Sequence, residues 1–333
     1  MKLLFITHKV HELDDDLAFA TLWAQEFNRQ GFEVSIVCYE KGVYNGTLPV
    51  YSMGKEEGVG YFGSLLRLWK IIFTVPHDRV FVHMNPKWLA AGSLLWLLKG
   101  TPMYLWYTHY TMNIGLWISG KVAKRMFCAT VDSLPQYTGN PKKVVTGHGI
   151  DMRFWDMPLL SRDERKPRTE LLMVHRLSRS KRIHLVLQAL ALLPDYKVTI
   201  IGRAIEKDYF AELQQLVVDL KLEDRVTFQG PLPMPELRAV YPHYQIFVNM
   251  ASDTIDKTMV ESLCAGLQVV TSKNNANAIG LVSAPTDDSP EAIAEYIRNL
   301  ELMSPESLKE IAVSKHSLNA LMQRMGAYIA KGE

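Results

Sequence analysis

The sequence predicts an α/β protein made of two doubly wound domains, each with a parallel β-sheet between helices. Three observations lead to this fold class. Short apolar runs alternate with longer helical stretches along the 333 residues, which is the pattern of strand-helix-strand units. The length suits two domains of ordinary size. Several apolar runs end in polar loops followed by a helix start, as at the edge of such sheets where ligands bind.

Composition narrows the class of protein further. Hydrophobic residues make up 48% of the chain and charged residues 22%, which is typical of a soluble globular protein. The formal net charge of +2 gives no electrostatic basis for binding nucleic acid. Cys38, Cys128 and Cys264 have no metal-ligand spacing and favour a reducing cytoplasm. The apolar run at residues 1–6 is too short for a signal peptide and is expected to form the first strand.

The first domain is expected to cover residues 1–152. Its strands are predicted at residues 3–6, 34–38, 79–83, 103–108, 127–131 and 143–145, and its helices at 17–30, 65–75 and 88–98. The loop after the first strand has no glycine, which argues against a classical NAD or FAD site. His8 and His11 stand beside aspartates in that loop, but solvated side chains are favoured over a metal site.

Two apolar helices of this domain allow two interpretations. The segments 65–75 and 88–98 are too short to span a bilayer. Core helices are the favoured interpretation. The alternative is a face that contacts a membrane carrying a lipid-linked acceptor, because aromatic residues stand beside Arg67, Lys70 and Lys99. The segment 117–125 adds three more cations.

The rest of the chain is expected to hold a linker at residues 153–168, a second domain at 169–308 and a C-terminal helix within 309–333. Strands are predicted at residues 170–174, 198–201, 226–228, 245–250 and 269–271. Helices are predicted at residues 183–193, 209–220, 235–241, in a short segment ending at Gly266, and at 289–303 and 305–329.

The loop at residues 175–182 is a candidate binding site for a diphosphate. It follows the first strand of the second domain and holds Arg176, Arg179, Lys181 and Arg182 together with His175. Cations beside a helix N-terminus suit a diphosphate, because the helix start offers free N–H groups and a positive dipole end. A solvated basic loop is the competing interpretation.

The stretch at residues 253–266 is a second candidate site. It leads from an apolar run into a short helix, whose free N–H groups would attract an anion. The carboxylates of Asp253 and Glu261 are placed to accept hydrogen bonds from the hydroxyls of a polyol-like ligand. Thr258 and Glu261 also have the spacing of a capping box, which would explain Glu261 without a ligand. The residues alone leave both interpretations open.

These motifs resemble those of retaining glycosyltransferases with two Rossmann-like domains (the GT-B architecture), family 4 in particular. The acids Asp253 and Glu261, followed by Ala265-Gly266 and Val269-Val270, are similar to the family's Glu-x7-Glu and Ala-x-Gly-x-Pro-Val-Val. Asp253 replaces the first glutamate, and Gln268 stands at the usual proline.

Two further segments carry the resemblance. The loop at residues 175–182 is similar to the family's Gly-Arg-Leu-x-x-x-Lys-Gly, with His175 and Arg182 in place of the glycines. Residues 147–154 resemble the family's crossover between domains, with His148 at the position of an asparagine. His109, after a predicted strand, matches a family histidine that lies close to the donor sugar.

The resemblance implies a cytoplasmic glycosyltransferase whose two domains face each other across a cleft, with the last helix packed back on the first domain. Such an enzyme moves a sugar from a nucleotide-diphosphate sugar to a glycan or lipid-linked acceptor, as in cell-envelope polysaccharide biosynthesis. Retention of configuration is implied, with no metal and no cofactor besides the donor substrate. The implied roles are catalysis for His109 and Asp253, diphosphate binding for Arg176, Lys181, Thr258 and Met259, and ribose binding for Glu261.

Two other functions stay open at this point. One is a sugar-nucleotide epimerase on the same architecture. The other is a non-catalytic subunit that binds a nucleotide-sugar, which Asp253, Gln268 and the missing glycines suggest.

Overall fold

The structure is a computed structural model that describes residues 1–14, 17–109, 111–252 and 255–333. The chain forms two compact units. The first consists of Met1–Gly149 together with Leu318–Glu333, and the second of Ile150–Ser317. The division therefore falls at Gly149 and Ser317, and the segment predicted as a linker lies inside the second unit.

The first unit contains a parallel sheet in the order β3-β2-β1-β4-β5-β6-β7. Its strands are β1 (Lys2–Val10), β2 (Glu33–Lys41), β3 (Val50–Ser52), β4 (Arg79–His83), β5 (Met103–Trp106), β6 (Arg125–Cys128) and β7 (Lys143–Val145). The helices of its continuous part are α1 (Phe19–Arg29), α2 (Tyr61–Thr74), α3 (Pro86–Leu98) and α4 (Ile114–Val122).

The second unit contains a smaller parallel sheet in the order β10-β9-β8-β11-β12. Its strands are β8 (Glu170–Val174), β9 (Lys197–Ile201), β10 (Val226–Gly230), β11 (Ile246–Asn249) and β12 (Gln268–Thr271). Its helices are α5 (Met152–Trp155), α6 (Ile183–Ala191), α7 (Lys207–Asp219), α8 (Met234–Val240), α9 (Lys257–Cys264), α10 (Lys273–Ile279), α11 (Pro290–Asn299) and α12 (Pro305–His316). The last helix, α13 (Leu318–Lys331), belongs to the first unit.

Both sheets are covered on both faces, which is why their strands are almost uninterrupted apolar runs. In β1, Leu3 and Phe5 pack with residues of α1 and α13, whereas Leu4 and Ile6 pack with residues of α2 and α3. In the second unit, α6, α7 and α11 cover one face and α8, α9 and α12 the other. These two doubly wound units confirm the predicted fold class.

Some predicted elements differ from the structure. Strand β1 extends to Val10, because its ladder with β2 continues to Lys41. Strand β3 and helix α10 were not predicted. The helix predicted over residues 305–329 is interrupted at Ser317, which has an extended backbone. The neighbouring His316 carbonyl there accepts a hydrogen bond of 2.9 Å from the backbone of Ile150.

The interpretation of residues 65–75 and 88–98 as core helices is correct for one face of each helix and wrong for the other. Leu68 and Trp88 are fully buried, whereas Leu66, Phe73 and Leu98 are exposed by 62%, 64% and 77%. Among the described residues, no helix has the length and apolar character needed to cross a membrane.

Candidate functional site

The carboxyl ends of β8 and β11 form the candidate site. The two strands are neighbours and run parallel, so the loops that follow them emerge at the same edge of the sheet. The loops are joined by a hydrogen bond of 3.2 Å from the backbone of Ser252 to the carbonyl of Ser180. A second bond of 2.6 Å runs from Nε of Arg182 to the carbonyl of Met250. The structure therefore brings the basic loop at residues 175–182 against the segment that enters α9.

Lys181 forms an ion pair with Asp256 at the centre of this edge. Nζ of Lys181 lies 2.6 Å and 2.8 Å from the two carboxylate oxygens, and Asn249 at the end of β11 donates to the same carboxylate at 2.9 Å. Lys181 is only 8% exposed. Burial by itself would raise the pKa of Asp256. The charge of Lys181 and the hydrogen bonds from Lys181 and Asn249 outweigh burial and lower the pKa below its ordinary value.

Asp256 is also the N-cap residue of α9, yet its carboxylate makes no capping hydrogen bond. Because the carboxylate turns to Lys181, the pair fixes the ammonium next to the first turn of the helix. Sequence analysis did not assign a role to Asp256. The available signal was an aspartate directly before a helix start, which ordinarily indicates only an N-cap.

His175 directly follows β8 and interacts electrostatically with both members of the ion pair. Its ring is buried, and neither ring nitrogen meets hydrogen-bond geometry with a described residue. Burial, followed by the charge of Lys181, lowers the pKa of His175 to about 4, so the ring is neutral near pH 7. The carbonyl oxygen of His175 abuts Gly202 at the end of β9, where any Cβ atom would overlap it.

The arginines of the basic loop have separate surroundings. Arg176 is exposed. Arg179 pairs with Glu212 on α7. Arg182, which replaces a glycine of the family motif, adopts a left-handed backbone with φ of 49°, a conformation that costs a non-glycine residue about 1 kcal/mol. The hydrogen bond to Met250 and an ion pair of 2.7 Å with Asp288 hold the Arg182 side chain in place.

The first turn of α9 contains the other predicted diphosphate contacts. Thr258 and Met259 are the second and third residues of the helix. The Met259 side chain is fully buried, and its backbone N–H donates a hydrogen bond of 3.1 Å to the carbonyl of Asp256. The hydroxyl of Thr258 is buried without a hydrogen-bond partner among the described residues. The capping box proposed for Thr258 and Glu261 is wrong, because the N-cap residue of the helix is Asp256 and Glu261 bonds elsewhere.

Glu261 lies on the buried side of α9 and is 7% exposed. Its carboxylate accepts a hydrogen bond of 3.2 Å from the hydroxyl of Tyr241, whose ring packs against Trp155 and Phe247. Burial raises the pKa of Glu261 to about 7, against the opposing effects of Lys257 and the Tyr241 hydroxyl. The carboxyl group is therefore partly protonated near neutral pH.

The catalytic roles of His109 and Asp253 remain predictions. His109 belongs to the first unit, where it is exposed and its ring meets Tyr107 edge-on at 5.3 Å. Asp253 lies outside the described residues.

The departure from the family motif at Gln268 has a local explanation. Gln268 is buried at the start of β12, and its side-chain oxygen accepts a hydrogen bond of 3.2 Å from the backbone of Met303. The glutamine thus ties β12 to the segment that precedes α12.

Metal-ligating residues are not grouped in the part of the chain that the structure describes: no cluster of three or more His, Cys, Asp or Glu side chains is placed to hold an ion. His8 packs on Tyr39 with ring centroids 5.5 Å apart. Nδ1 of His11 accepts a hydrogen bond of 3.3 Å from the backbone of Val43.

The fold has counterparts among solved structures. HepE from Anabaena, determined in complex with UDP and glucose, superimposes with a TM-score of 0.78 at 16% identity and 99% coverage of each chain. Sucrose-phosphate synthase from Thermosynechococcus elongatus gives 0.72 at 13% identity and 99% coverage of each chain. WaaG, a glycosyltransferase involved in lipopolysaccharide biosynthesis, gives 0.69 at 14% identity, with 98% of this chain and 99% of that chain covered. A search of curated proteins finds no match to the chain.

The two parallel sheets and their structural counterparts define a protein of the GT-B fold class. Residues 161–313 match the family model of glycosyl transferases group 1. The chain therefore has the GT-B fold, and within its second unit residues 161–313 are similar in sequence to glycosyl transferases group 1.

Proposed function

We propose that this protein is a glycosyltransferase that moves a sugar from a nucleotide-diphosphate sugar to a lipid-linked or glycan acceptor. The observation that carries the proposal is the position of Lys181, an almost buried ammonium at the carboxyl edge of β8 and beside the first turn of α9. The loop that holds it matches the family motif and falls within residues 161–313. HepE, which has a similar fold, was solved in complex with UDP-glucose.

The donor diphosphate is proposed to bind between the basic loop and α9. The lysine ammonium has three N–H donors, of which two point to the oxygens of Asp256. The remaining donor, the guanidinium of Arg176 and the backbone N–H group of Thr258 would bind the phosphate oxygens. The N–H group of Met259 would bind them in exchange for the Asp256 carbonyl, to which it donates at 3.1 Å. These groups would stabilise the charge that develops on the leaving diphosphate, so the proposal needs no metal ion.

The remaining residues are proposed to position the donor. Glu261 would accept hydrogen bonds from the ribose hydroxyls once its proton is lost. His109 and Asp253 would orient the sugar. Retention of configuration, with the leaving phosphate taking the acceptor proton, completes the proposed reaction.

The lipid-linked acceptor is supported by an exposed apolar face on the first unit. We define this apolar face by residues on three helices, each exposed by more than half. They are Phe62, Leu66 and Phe73 on α2, Leu94 and Leu98 on α3, and Ile114 and Trp117 on α4. The α2 residues recur at helical spacing on one side, and Nε1 of Trp69 joins α2 to the Ala91 carbonyl on α3 at 3.0 Å. An extended apolar surface of this kind usually marks a protein or membrane contact.

The charge around the apolar face favours a membrane. Between Asp78 and Asp132 the chain contains no acidic residue, while it contains Lys87, Lys99, Lys121, Lys124 and Arg125. Basic side chains at the rim of an apolar surface attract anionic lipid headgroups. We therefore propose peripheral contact with the cytoplasmic leaflet, where lipid-linked precursors of cell-envelope polysaccharides would be available.

The experiment that tests this function is a transfer assay with UDP-, GDP- and ADP-sugars and lipid-diphosphate acceptors. Wild type is compared with Lys181→Met and with a matched control, Lys309→Met, which removes a partly exposed ion pair to Asp156 on the same unit. Turnover by wild type and the control, lost in Lys181→Met, supports the proposal. The ion pair with Asp256 already occupies two of the three donors of Lys181. This favours one competing function, a subunit that binds the donor without catalysing transfer. Binding of a donor without transfer to any acceptor would establish that function instead.

A further inference from the structure

We propose that the first unit carries its own binding site for a phosphate or diphosphate group, formed by Lys87, Lys55 and His8 around the ring of Tyr39. Nζ of Lys87 lies 4.9 Å from the centroid of this ring, and Nζ of Lys55 lies 5.5 Å from it. The ring of His8 is 5.5 Å away, centroid to centroid. These four residues are the Tyr39 cluster. They belong to the first unit, whereas the basic loop belongs to the second.

The topology brings the cluster together at the carboxyl edge of the first sheet. His8 on β1 and Tyr39 on β2 lie beside each other, because Thr7 pairs with Cys38 and Lys9 with Glu40. Lys87 lies in the first turn of α3, directly after β4. Ligands of parallel α/β sheets bind at this edge.

The start of α3 adds partial positive charge to the same place. This helix has thirteen residues, and its N-cap residue Asn85 makes no capping hydrogen bond through its side chain. The N–H groups of the first turn and the positive end of the helix dipole therefore supplement the ammonium of Lys87.

The cations of the Tyr39 cluster are not fully neutralised. Glu40 accepts from Lys55 at 2.6 Å and from Lys9 at 2.9 Å. No described carboxylate lies within ion-pair distance of Lys87, whose ammonium rests instead on the rings of Tyr39 and Trp88. Burial and the charge of Lys55 lower the pKa of Lys87. Burial, Lys55 and Lys87 lower the pKa of His8. A bound anion would relieve this repulsion.

The chemistry of the cluster favours phosphate over carboxylate. Its fixed charges are lysine ammonium groups, which bind phosphate as point charges, whereas planar carboxylates are matched best by the arginine fork. Tyr61 stacks on Trp88 with ring centroids 5.5 Å apart. The next residue, Phe62, belongs to the apolar face. A phosphate bound here would thus lie beside the surface proposed to contact lipid.

This position suggests the source of the phosphate. We infer a lipid-linked acceptor, which would place its diphosphate on the Tyr39 cluster and its hydrocarbon chain along the apolar face. This identity of the source rests on the proposed function. Binding of the phosphate group itself does not depend on sugar transfer.

The test is an NMR titration of the whole 333-residue chain. The observed signal is that of the His8 imidazole. It is assigned as the signal that is missing from the spectrum of His8→Gln. Inorganic pyrophosphate is added to wild type, Lys87→Met, Lys181→Met and Lys121→Met. Lys121 is the matched control, because its ammonium also rests on an aromatic ring, that of Trp117 at 5.8 Å. We expect pyrophosphate to raise the pKa of His8 in wild type, Lys181→Met and Lys121→Met, and Lys87→Met to weaken binding by about tenfold or more.

Several results would overturn the proposal. An unchanged His8 signal, or the same affinity in Lys87→Met as in wild type, would show that pyrophosphate does not bind at the Tyr39 cluster. Equal binding of galacturonate would contradict the preference for phosphate. Farnesyl diphosphate should bind at least about tenfold more tightly than pyrophosphate, because its chain buries apolar surface. Equal affinity of the two would overturn the lipid-linked source.

The same variants separate this proposal from the proposed function. Lys87→Met should bind nucleotide-sugars as wild type does, whereas Lys181→Met should not. If pyrophosphate shifts His8 while no nucleotide-sugar binds, the proposed function fails and the Tyr39 cluster remains a phosphate site.

Discussion

The ammonium of Lys181 and the carboxylate of Asp256 form a nearly buried ion pair, with N–O distances of 2.6 Å and 2.8 Å. Their residues are far apart in sequence but lie on loops that follow neighbouring parallel strands. The pair explains why Lys181 is held in one position without a ligand. A donor diphosphate bound as proposed would share the lysine with the carboxylate of Asp256.

The first prediction concerns the stability of this pair. From the sequence alone, replacement of Lys181 is expected to affect turnover far more than stability. The structure predicts that both fall, because Lys181→Met leaves Asp256 buried without its counter-ion. We expect the free energy of unfolding to decrease by about 3 kcal/mol, measured by urea denaturation.

A double variant provides the control for this prediction. Lys181→Met combined with Asp256→Asn removes both charges and should recover most of the lost stability without recovering activity. Additive losses in the double variant would show that the two residues are not coupled in solution.

The second prediction concerns pH. Glu261 has its pKa raised from about 4.5 to about 7 by burial, so the folded state favours the protonated carboxyl group. Protonation of this carboxyl group contributes roughly 3 kcal/mol to the free energy of unfolding. The contribution is fully present below pH 4.5 and is lost as the pH rises through 7. Glu261→Gln should therefore gain stability relative to wild type between pH 4.5 and pH 8.

The gain in stability of Glu261→Gln over wild type is measured by urea unfolding at about pH 4.5 and about pH 8. Glu310→Gln, at an exposed position on α12, serves as the control and should follow wild type. If Glu261→Gln shows the same pH dependence as wild type, the carboxyl group is not buried in its neutral form.

The third prediction concerns the close approach of β8 and β9. Gly202→Ala would place a Cβ atom against the carbonyl oxygen of His175, so the backbone must shift at the base of the basic loop. We expect a loss of about 3 kcal/mol from this overlap. Gly230→Ala on the adjacent β10 also has a positive φ but meets nothing within 4 Å, and should cost only about 1 kcal/mol. Equal losses would contradict the close contact.

The fourth prediction concerns the apolar face. Replacement of Phe62, Leu66 and Phe73 by serine should weaken sedimentation with phosphatidylglycerol vesicles by about 100-fold, because three side chains no longer enter the interface. Binding of wild type should also decrease with added salt. Val282→Ser, at a residue 96% exposed on the second unit, should bind as wild type does. Vesicle binding that survives the triple replacement would exclude this face as the contact.

The sequence predicts most of the sheets because parallel strands buried on both faces are continuous apolar runs, as in β8 and β11. It does not predict the exposed side of α2, since an apolar helix has the same composition whether it is covered by protein or by lipid. The ion pair between Lys181 and Asp256 joins residues 75 positions apart, and no local pattern shows such a contact. The left-handed backbone of Arg182 was also missed, because a glycine is the usual signal for it.

The central claim is that the basic loop and α9 bind a nucleotide-sugar, and thermal unfolding with UDP-, GDP- and ADP-sugars tests it most directly. A bound donor at a hundredfold excess over its Kd stabilises the folded protein by about 2.7 kcal/mol. The account predicts that at least one donor raises the Tm of wild type and Lys309→Met but not of Lys181→Met. A Tm that no donor raises, or an equal increase in Lys181→Met, would contradict it.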